Sequence, residues 1–259
     1  MSVSTYAIFY YDFEITSKNR YIDFEEGATE YAGILPIGSY TPTKLAELVA
    51  EAMNDLGSYT YTCTFNRTTR IFTIGSSSAF NLLGATGVNA TQSALSTIGF
   101  AAADVLGTTS TSGSAAGSTY EPQLTLQDHI PTTNNKRALS AVVTKSASGN
   151  KVSVQSFGEE RFLKANIKFI TDIPQPPSGK LNSDTSAVAN VRSFLDYCIG
   201  KGPVEYMADK NSRSTYEKLV LESTPQSSDG TAYELKEYYD KGLPGYFETG
   251  ILTFKVITE

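Results

Sequence analysis

Between Tyr59 and Ile74 the chain reads YTYTCTFNRTTRIFTI, and this run constrains the fold more than any other. Tyr59, Tyr61, Cys63 and Phe65 alternate with small polar residues up to Asn66–Thr69, and Phe72 and Ile74 resume the alternation beyond it. A period of two sends one face of each strand to a core and the other to water, so a β-hairpin turning at Asn66–Thr69 is predicted. The chain holds 16 Tyr and 13 Phe but no Trp, with many Ser and Thr. These side chains suit a pleated, half-buried surface.

Other segments extend the pattern. Thr5–Ile15, TYAIFYYDFEI, has strand composition with no Gly or Pro to break it. In Tyr21–Ile37, Ile22 and Phe24 precede Glu-Glu-Gly-Ala while Ile34 and Ile37 follow it, which predicts a second hairpin. Thr41 is placed to cap a helix whose first position is Pro42. Leu45, Leu48, Val49, Ala52, Met53 and Leu56 then form one apolar stripe, and Gly57 supplies the stop, predicting a helix over about residues 42–56. Residues 79–106 read as short helical turns under a loop. Residues 107–119, GTTSTSGSAAGST, have nothing to bury and read as a flexible loop or linker.

In the second half, Ala138–Thr144 and Lys151–Phe157 flank Ser-Ala-Ser-Gly-Asn as a hairpin would. Arg161–Ile173 reads as a half-exposed strand ended by Pro174, Pro176, Pro177 and Gly179. A second helix, over about residues 185–199, presents Val188, Val191, Leu195, Cys198 and Ile199 on one face before Gly200. Val204–Met207, Tyr216–Ser223 and Gly245–Ile257 have strand composition, with ELKEYYDKGLPG as a connection. The expected class is α+β, mainly antiparallel β, without the repeated βαβ spacing of a parallel sheet. An N-terminal α+β module with one helix (residues 1–106) and a β-sandwich or barrel-like domain with one packed helix (136–259) are expected to flank a linker at 107–135.

Catalytic groups are sparse. The sole histidine, His129, stands in LQDHIP beside the linker and reads as a polar loop residue, although any Ser-His-Asp or Cys-His set would have to use it. One His and two remote Cys offer no zinc-ligand spacing, and neither a P-loop nor a GxGxxG pattern is present. The carboxylate pairs Glu25–Glu26 and Glu159–Glu160 could serve a glycosidase, but adjacent carboxylates point apart or into solvent. Asp12, Asp23, Asp104 and Asp172 lack the spacing of a calcium loop. No catalytic, cofactor or metal residue is therefore assigned, and the chain is expected to be non-enzymatic.

Cys63 and Cys198 are expected to be buried free thiols. A net charge of −6 and a pI near 5.0 argue against phosphate-backbone binding, so no nucleic-acid recognition is expected. No stretch approaches a membrane span, and the start, MSVSTYAIFYYDFE, lacks a basic region followed by a long apolar run; a soluble cytoplasmic product is expected. Asn66-Arg67-Thr68 and Asn89-Ala90-Thr91 match the glycosylation acceptor pattern, which carries no weight without a secretory signal. Aromatic strands could stack sugars, although Tyr and Phe at strand period more often fill cores and interfaces.

Two stretches resemble virion proteins of tailed bacteriophages. In the first half, IDFEEG, LPIGSYTPTKLAELVAEAMNDLG and YTCTFNRTTRIFTI look like a module of phage structural proteins covering roughly Thr16–Leu106. In the second, FLDYCIGKGPVEYMADKNSRSTYEKLVLES and GYFETGILTFKVI are similar to the C-terminal part of tail-tube-like, distal-tail and baseplate proteins. The resemblance implies a β-sandwich or barrel that assembles into rings, commonly sixfold, around the tail axis of the virion. Its partners would be copies of itself and other tail proteins, after synthesis in the host bacterial cytoplasm. It ranks a distal-tail or baseplate ring protein first, a tube subunit second and a head-to-tail connector or capsid decoration third. A host-glycan-binding module and a cell-wall hydrolase are the competing classes.

Overall fold

A computed structural model describes residues 7–122, 132–145, 151–168, 170–171, 187–208, 216–224, 233, 235–237, 242 and 246–257. In chain order the first strands are β1 (Ile8–Tyr11), β2 (Glu14–Ile15), β3 (Tyr21–Glu26), β4 (Thr29–Ile34), β5 (Gly38–Ser39), β6 (Tyr61–Asn66), β7 (Ile71–Leu83), β8 (Asp104–Ala115) and β9 (Ser118–Tyr120). They continue with β10 (Thr132–Lys145), β11 (Lys151–Asn166), β12 (Ile170–Thr171), β13 (Val204–Met207), β14 (Glu217–Ser223), β15 (Lys236–Glu237), β16 (Tyr246–Glu248) and β17 (Ile251–Val256). The α-helices among the described residues are α1 (Pro42–Asn54) and α2 (Ala187–Gly200). The fold is α+β, mainly antiparallel β and sandwich-like.

The chain divides into two compact units. The first unites Ala7–Glu121 with Phe194–Tyr216, and the second unites Pro122–Ser193 with Glu217–Thr258.

In the first unit, β4-β3-β7-β6 form a sheet in which β8 pairs with the other edge of β7. Both hairpins expected here form: β3 pairs with β4 from Tyr21↔Ile34 to Glu26↔Thr29, and β6 pairs with β7 from Tyr61↔Ser76 to Asn66↔Ile71. Ile22, Phe24, Tyr61, Phe65, Phe72, Ile74, Phe80 and Leu82 are buried on one face, as their alternation requires. Helix α1 covers that face with Leu45, Ala46, Val49, Ala52 and Met53. Its approach is close at Gly33, where an added Cβ would lie 3.2 Å from the Ala52 carbonyl oxygen.

Thr41 caps α1 by accepting from the Lys44 N–H at 3.3 Å, and Pro42 occupies the first turn. The helix ends at Asn54, two residues earlier than the stripe suggested, and leaves Leu56 exposed because the Gly57 N–H bonds the Met53 carbonyl and closes the turn.

Strand β1 lies between β13 and β9, with Phe9 opposite both Tyr206 and Tyr120. Its residues are buried on both faces: Ile8 and Tyr10 join the α1 core, while Phe9 and Tyr11 meet Phe194 of α2 at ring separations of 4.8 and 5.6 Å. This double burial explains an unbroken aromatic run instead of alternation. Of the expected strand Thr5–Ile15, residues 5 and 6 lie outside the described residues. The remainder is not one strand. Asp12 adopts φ 73°, a left-handed conformation that Asp tolerates better than most residues, and it separates β1 from β2.

Residues 107–119 are corrected from flexible linker to sheet: β8 runs for 12 residues beside β7, and β9 follows. Ser and Thr on an edge strand exposed on both sides need no apolar alternation, so the usual signal is missing. The edge is partly closed by its own surroundings. The Thr108 hydroxyl accepts from the Ser110 N–H and donates to its carbonyl, and the Ser114 N–H donates to the Gly99 carbonyl at 2.6 Å. Residues 79–106 likewise include the end of β7 and one short 3-10 turn, Ala90–Gln92.

In the second unit β10, β11, β17 and β14 are consecutive neighbours. Phe254 of β17 lies opposite Leu163 on one side and Leu221 on the other. The expected closing strand Gly245–Ile257 is two strands. Gly250, at φ 68°, and buried Thr249, bonded to the Ile167 backbone, divide β16 from β17. β16 then pairs with β12 and β15 in a separate sheet. Likewise β11 stops at Asn166, short of the strand end expected at Ile173; residues 172 and 173 lie outside the described residues.

Helix α2 is described from Ala187. Its buried face is Val191, Phe194, Leu195, Tyr197 and Cys198, whereas Ile199 is exposed.

Candidate functional site

The carboxylates of the first unit are largely committed to backbone. Glu26 accepts from the N–H groups of Ser58 and Tyr59, at 2.9 and 3.1 Å, and from the Tyr61 hydroxyl at 3.0 Å. It therefore anchors the chain leaving α1. The pair suspected in the sequence is split, since Glu25 lies on the opposite face and accepts from Asn81 Nδ2 at 2.6 Å. Glu159 and Glu160 are in β11, opposite Leu139 and Ala138. His129 and Asp172 lie outside the described residues. Asp23 and Asp104 hold the segment 85–89, whereas Asp12 accepts from Ser118 elsewhere. Among the described residues, no group of three or more His, Cys, Asp or Glu is placed to hold a metal ion.

Residues 85–89 fold over the face of β3 and β4 that α1 does not cover, and three carboxylates hold them. Asp104 accepts from the N–H groups of Ala85 and Thr86 and from the Thr86 hydroxyl, Glu30 from the Val88 N–H, and Asp23 from the Asn89 N–H and Nδ2. The bond from the Ala85 N–H, followed by those from Thr86, holds the Asp104 carboxyl below its ordinary value of 3.8. A depressed folded-state pKa means that this support is complete above the unfolded value and is lost as pH falls through the folded one. Amide exchange at Ala85 and Thr86, corrected for intrinsic rates, should stay slow near neutrality and accelerate only below the ordinary carboxylate range.

The same face carries exposed apolar side chains. Cross-strand partners share a face, which groups Ile34 with Tyr21, Ala32 with Asp23, and Glu30 with Glu25. Ile34 is 51% exposed and Val88 at the loop tip 81%. Two carboxylates directly opposite one another, Glu25 and Glu30, make this rim acidic.

A second feature lies in the second unit. β10 and β11 pair from Thr132↔Lys164 to Lys145↔Lys151, whereas β17 pairs with β11 only over Phe162–Asn166. Residues 138–145 and 151–160 therefore form a two-stranded ribbon with no third strand among the described residues. The turn between the strands, residues 146–150, lies outside them. By sequence the ribbon holds two basic residues, Lys145 and Lys151, and two acidic ones, Glu159 and Glu160.

Two further polar clusters were not legible in the sequence. Glu205 of β13 is fully buried; its carboxylate accepts from Arg67 Nε at 2.5 Å and from the Thr43 hydroxyl at 2.6 Å. Arg67 Nη2 donates to Thr43 Oγ1 at 2.7 Å, and the guanidinium stacks 3.7 Å from the centroid of Tyr216. The Arg67 carbonyl accepts from the Tyr10 hydroxyl at 2.7 Å. Asn66, the first residue of a glycosylation-like triplet, accepts from the N–H groups of Thr68 and Thr69 and shapes this turn.

The other cluster is a cleft of about 400 Å³ lined by Asp12, Glu14, Thr16, Asn19, Ser96, Thr97 and Ser118. Its groups largely satisfy one another. Asn19 bonds Thr16, Thr97 and the Glu14 carbonyl, Glu14 accepts from Lys201 at 2.5 Å, and Asp12 accepts from Ser118 at 3.3 Å.

The aromatic residues fill the core, as expected: Phe9, Tyr10, Phe13, Phe24, Phe72 and Phe80 are all buried. Both cysteines are free, Cys198 buried and Cys63 half-buried. Burial pushes the Cys63 thiol up to about 12 and raises that of Cys198 as well. Both should resist alkylation by a thiolate-selective reagent near neutral pH and react together once the chain is unfolded, which a mass-spectrometric time course checks.

Set against known proteins, the chain matches no family model and no curated protein.

Proposed function

We propose that this chain is a non-enzymatic structural subunit of a bacteriophage tail, a distal-tail or baseplate ring protein that assembles with itself and with neighbouring tail proteins. The observation carrying this reading is the β10–β11 ribbon. An isolated two-stranded ribbon is marginal in water, because it lacks a third strand or a packed layer to bury apolar side chains. The segment Ala138–Phe157 includes Leu139, Val142, Val143, Val152, Val154 and Phe157. A long unpaired strand edge also offers backbone groups to a second chain. Subunit association supplies both the packing and the pairing. The resemblance of the C-terminal stretches to ring-forming tail proteins supports the same reading.

The test is light scattering on the intact chain together with immunolabelling of purified particles. Ring-sized assemblies in solution and label at one station on the tail are expected. Strictly monomeric protein at the highest attainable concentration, with no label on particles, would overturn the proposal.

A further inference from the structure

We infer that residues 84–89 are a strap latched across the outer face of the first-unit sheet by carboxylates on three strands, and that acid releases it as one unit, uncovering Asp23. This goes beyond the assembly reading and does not depend on it.

The latch is made of one kind of bond. Among the described residues, every hydrogen bond that ties 85–89 to the strands ends on a carboxylate oxygen. The N–H groups of Ala85 and Thr86 donate to Asp104 of β8 at 2.8 and 3.1 Å, that of Val88 to Glu30 of β4 at 2.8 Å, and that of Asn89 to Asp23 of β3 at 2.6 Å. The Thr86 hydroxyl and Asn89 Nδ2 add second bonds to Asp104 and Asp23. None of the three carboxylates pairs with a Lys or Arg among the described residues, so these donors are what offsets their charge.

The strap also lies directly on what it covers. A Cβ at Gly87 would sit 2.5 Å from both Cβ and Oδ2 of Asp23, which leaves that side chain 1% exposed. Residues 85–89 make no backbone bond among themselves; the turn bond runs from the Ala90 N–H to the Gly87 carbonyl at the end of the strap. A segment this short keeps no structure of its own once a latch is lost.

Protonation undoes such a latch, because an ionised carboxylate only accepts whereas a carboxylic acid presents a hydrogen of its own. The surrounding charge favours proton uptake. Glu25 lies directly opposite Glu30, Asp23 shares their face, and Asn81 bonds Glu25 without adding positive charge. Arg20, just before β3, lies 5.9 Å from the centroid of the Tyr21 ring and pairs with none of these groups. The bonds to Asp104 favour its ionised form, so that latch is complete above the unfolded value and is lost as pH falls through the lowered folded one.

Hydrogen exchange on the full chain tests this, with Asp104→Asn and Glu30→Gln as isosteric stand-ins for the protonated groups and Gly87→Ala as a wedge against Asp23. At neutral pH each variant should speed exchange at all four amides, Ala85, Thr86, Val88 and Asn89, by about tenfold or more, the worth of a bond to a charged acceptor. Amides of the β6–β7 hairpin should keep their wild-type rates, which shows that the unit stays folded. In the wild type the four amides, corrected for intrinsic rates, should lose protection together as pH falls below the ordinary carboxylate range. If acid unfolds the hairpin as well, the variants at neutral pH decide the question alone. Variants that free only the amides bonded to the altered side chain, or four amides that stay protected in acid, would overturn the proposal.

Discussion

Replacing Arg67 with Met should destabilise the first unit by about 3 kcal/mol, lowering its thermal midpoint by roughly 6–12 °C. Glu205 has no exposed side-chain surface, and the substitution removes its cationic partner while leaving the Thr43 hydroxyl. A buried carboxylate stripped of its counter-charge loses far more than a surface ion pair is worth. The lower end of the range applies because the Arg67 side chain keeps 16% of its surface in water. The double variant Arg67→Met/Glu205→Leu should recover most of the loss, since removing both charges leaves no uncompensated ion. Denaturant unfolding of the single and double variants checks both statements. Equal destabilisation by the two would show that the network acts through packing and not through charge.

Phe194→Ala should cost about 3–5 kcal/mol, the usual range for truncating a fully buried aromatic residue. The ring of Phe194 lies 4.8 Å from those of Phe9 and Tyr120 and 5.6 Å from that of Tyr11, so a cavity here removes contacts to both β1 and β9. Those strands are short, four and three residues, and depend on packing more than on their ladders. Phe194→Leu should cost much less, because most of the volume is kept. Urea unfolding followed by circular dichroism measures the difference, and hydrogen exchange in β1 should accelerate more than in the β3–β4 hairpin. Equal protection loss in both would indicate global rather than local weakening.

Legibility in the sequence followed the strength of local periodicity. The β6–β7 hairpin and α1 could be placed within a few residues because apolar spacing, a Thr cap, an early Pro and a terminal Gly all pointed the same way. The strand β8 was missed because its Ser and Thr side chains face water and leave no pattern to read. The breaks at Asp12 and Thr249–Gly250 were missed for a different reason. Each is set by a single backbone conformation inside a run of good strand formers.

The buried pair between Glu205 and Arg67 was invisible because its members lie 138 residues apart, and sequence separation carries no record of their approach. The ribbon was legible as a hairpin, but its lack of a third strand among the described residues was not, since that depends on β17 ending its pairing at Phe162.

By itself, then, the sequence determined the class of the fold, because helical and strand periods are local properties that burial of one face enforces. Only the tertiary structure decided which strands are neighbours, which carboxylates are buried, and where an acidic face occurs. These depend on contacts between distant segments, whose energies a local pattern does not contain.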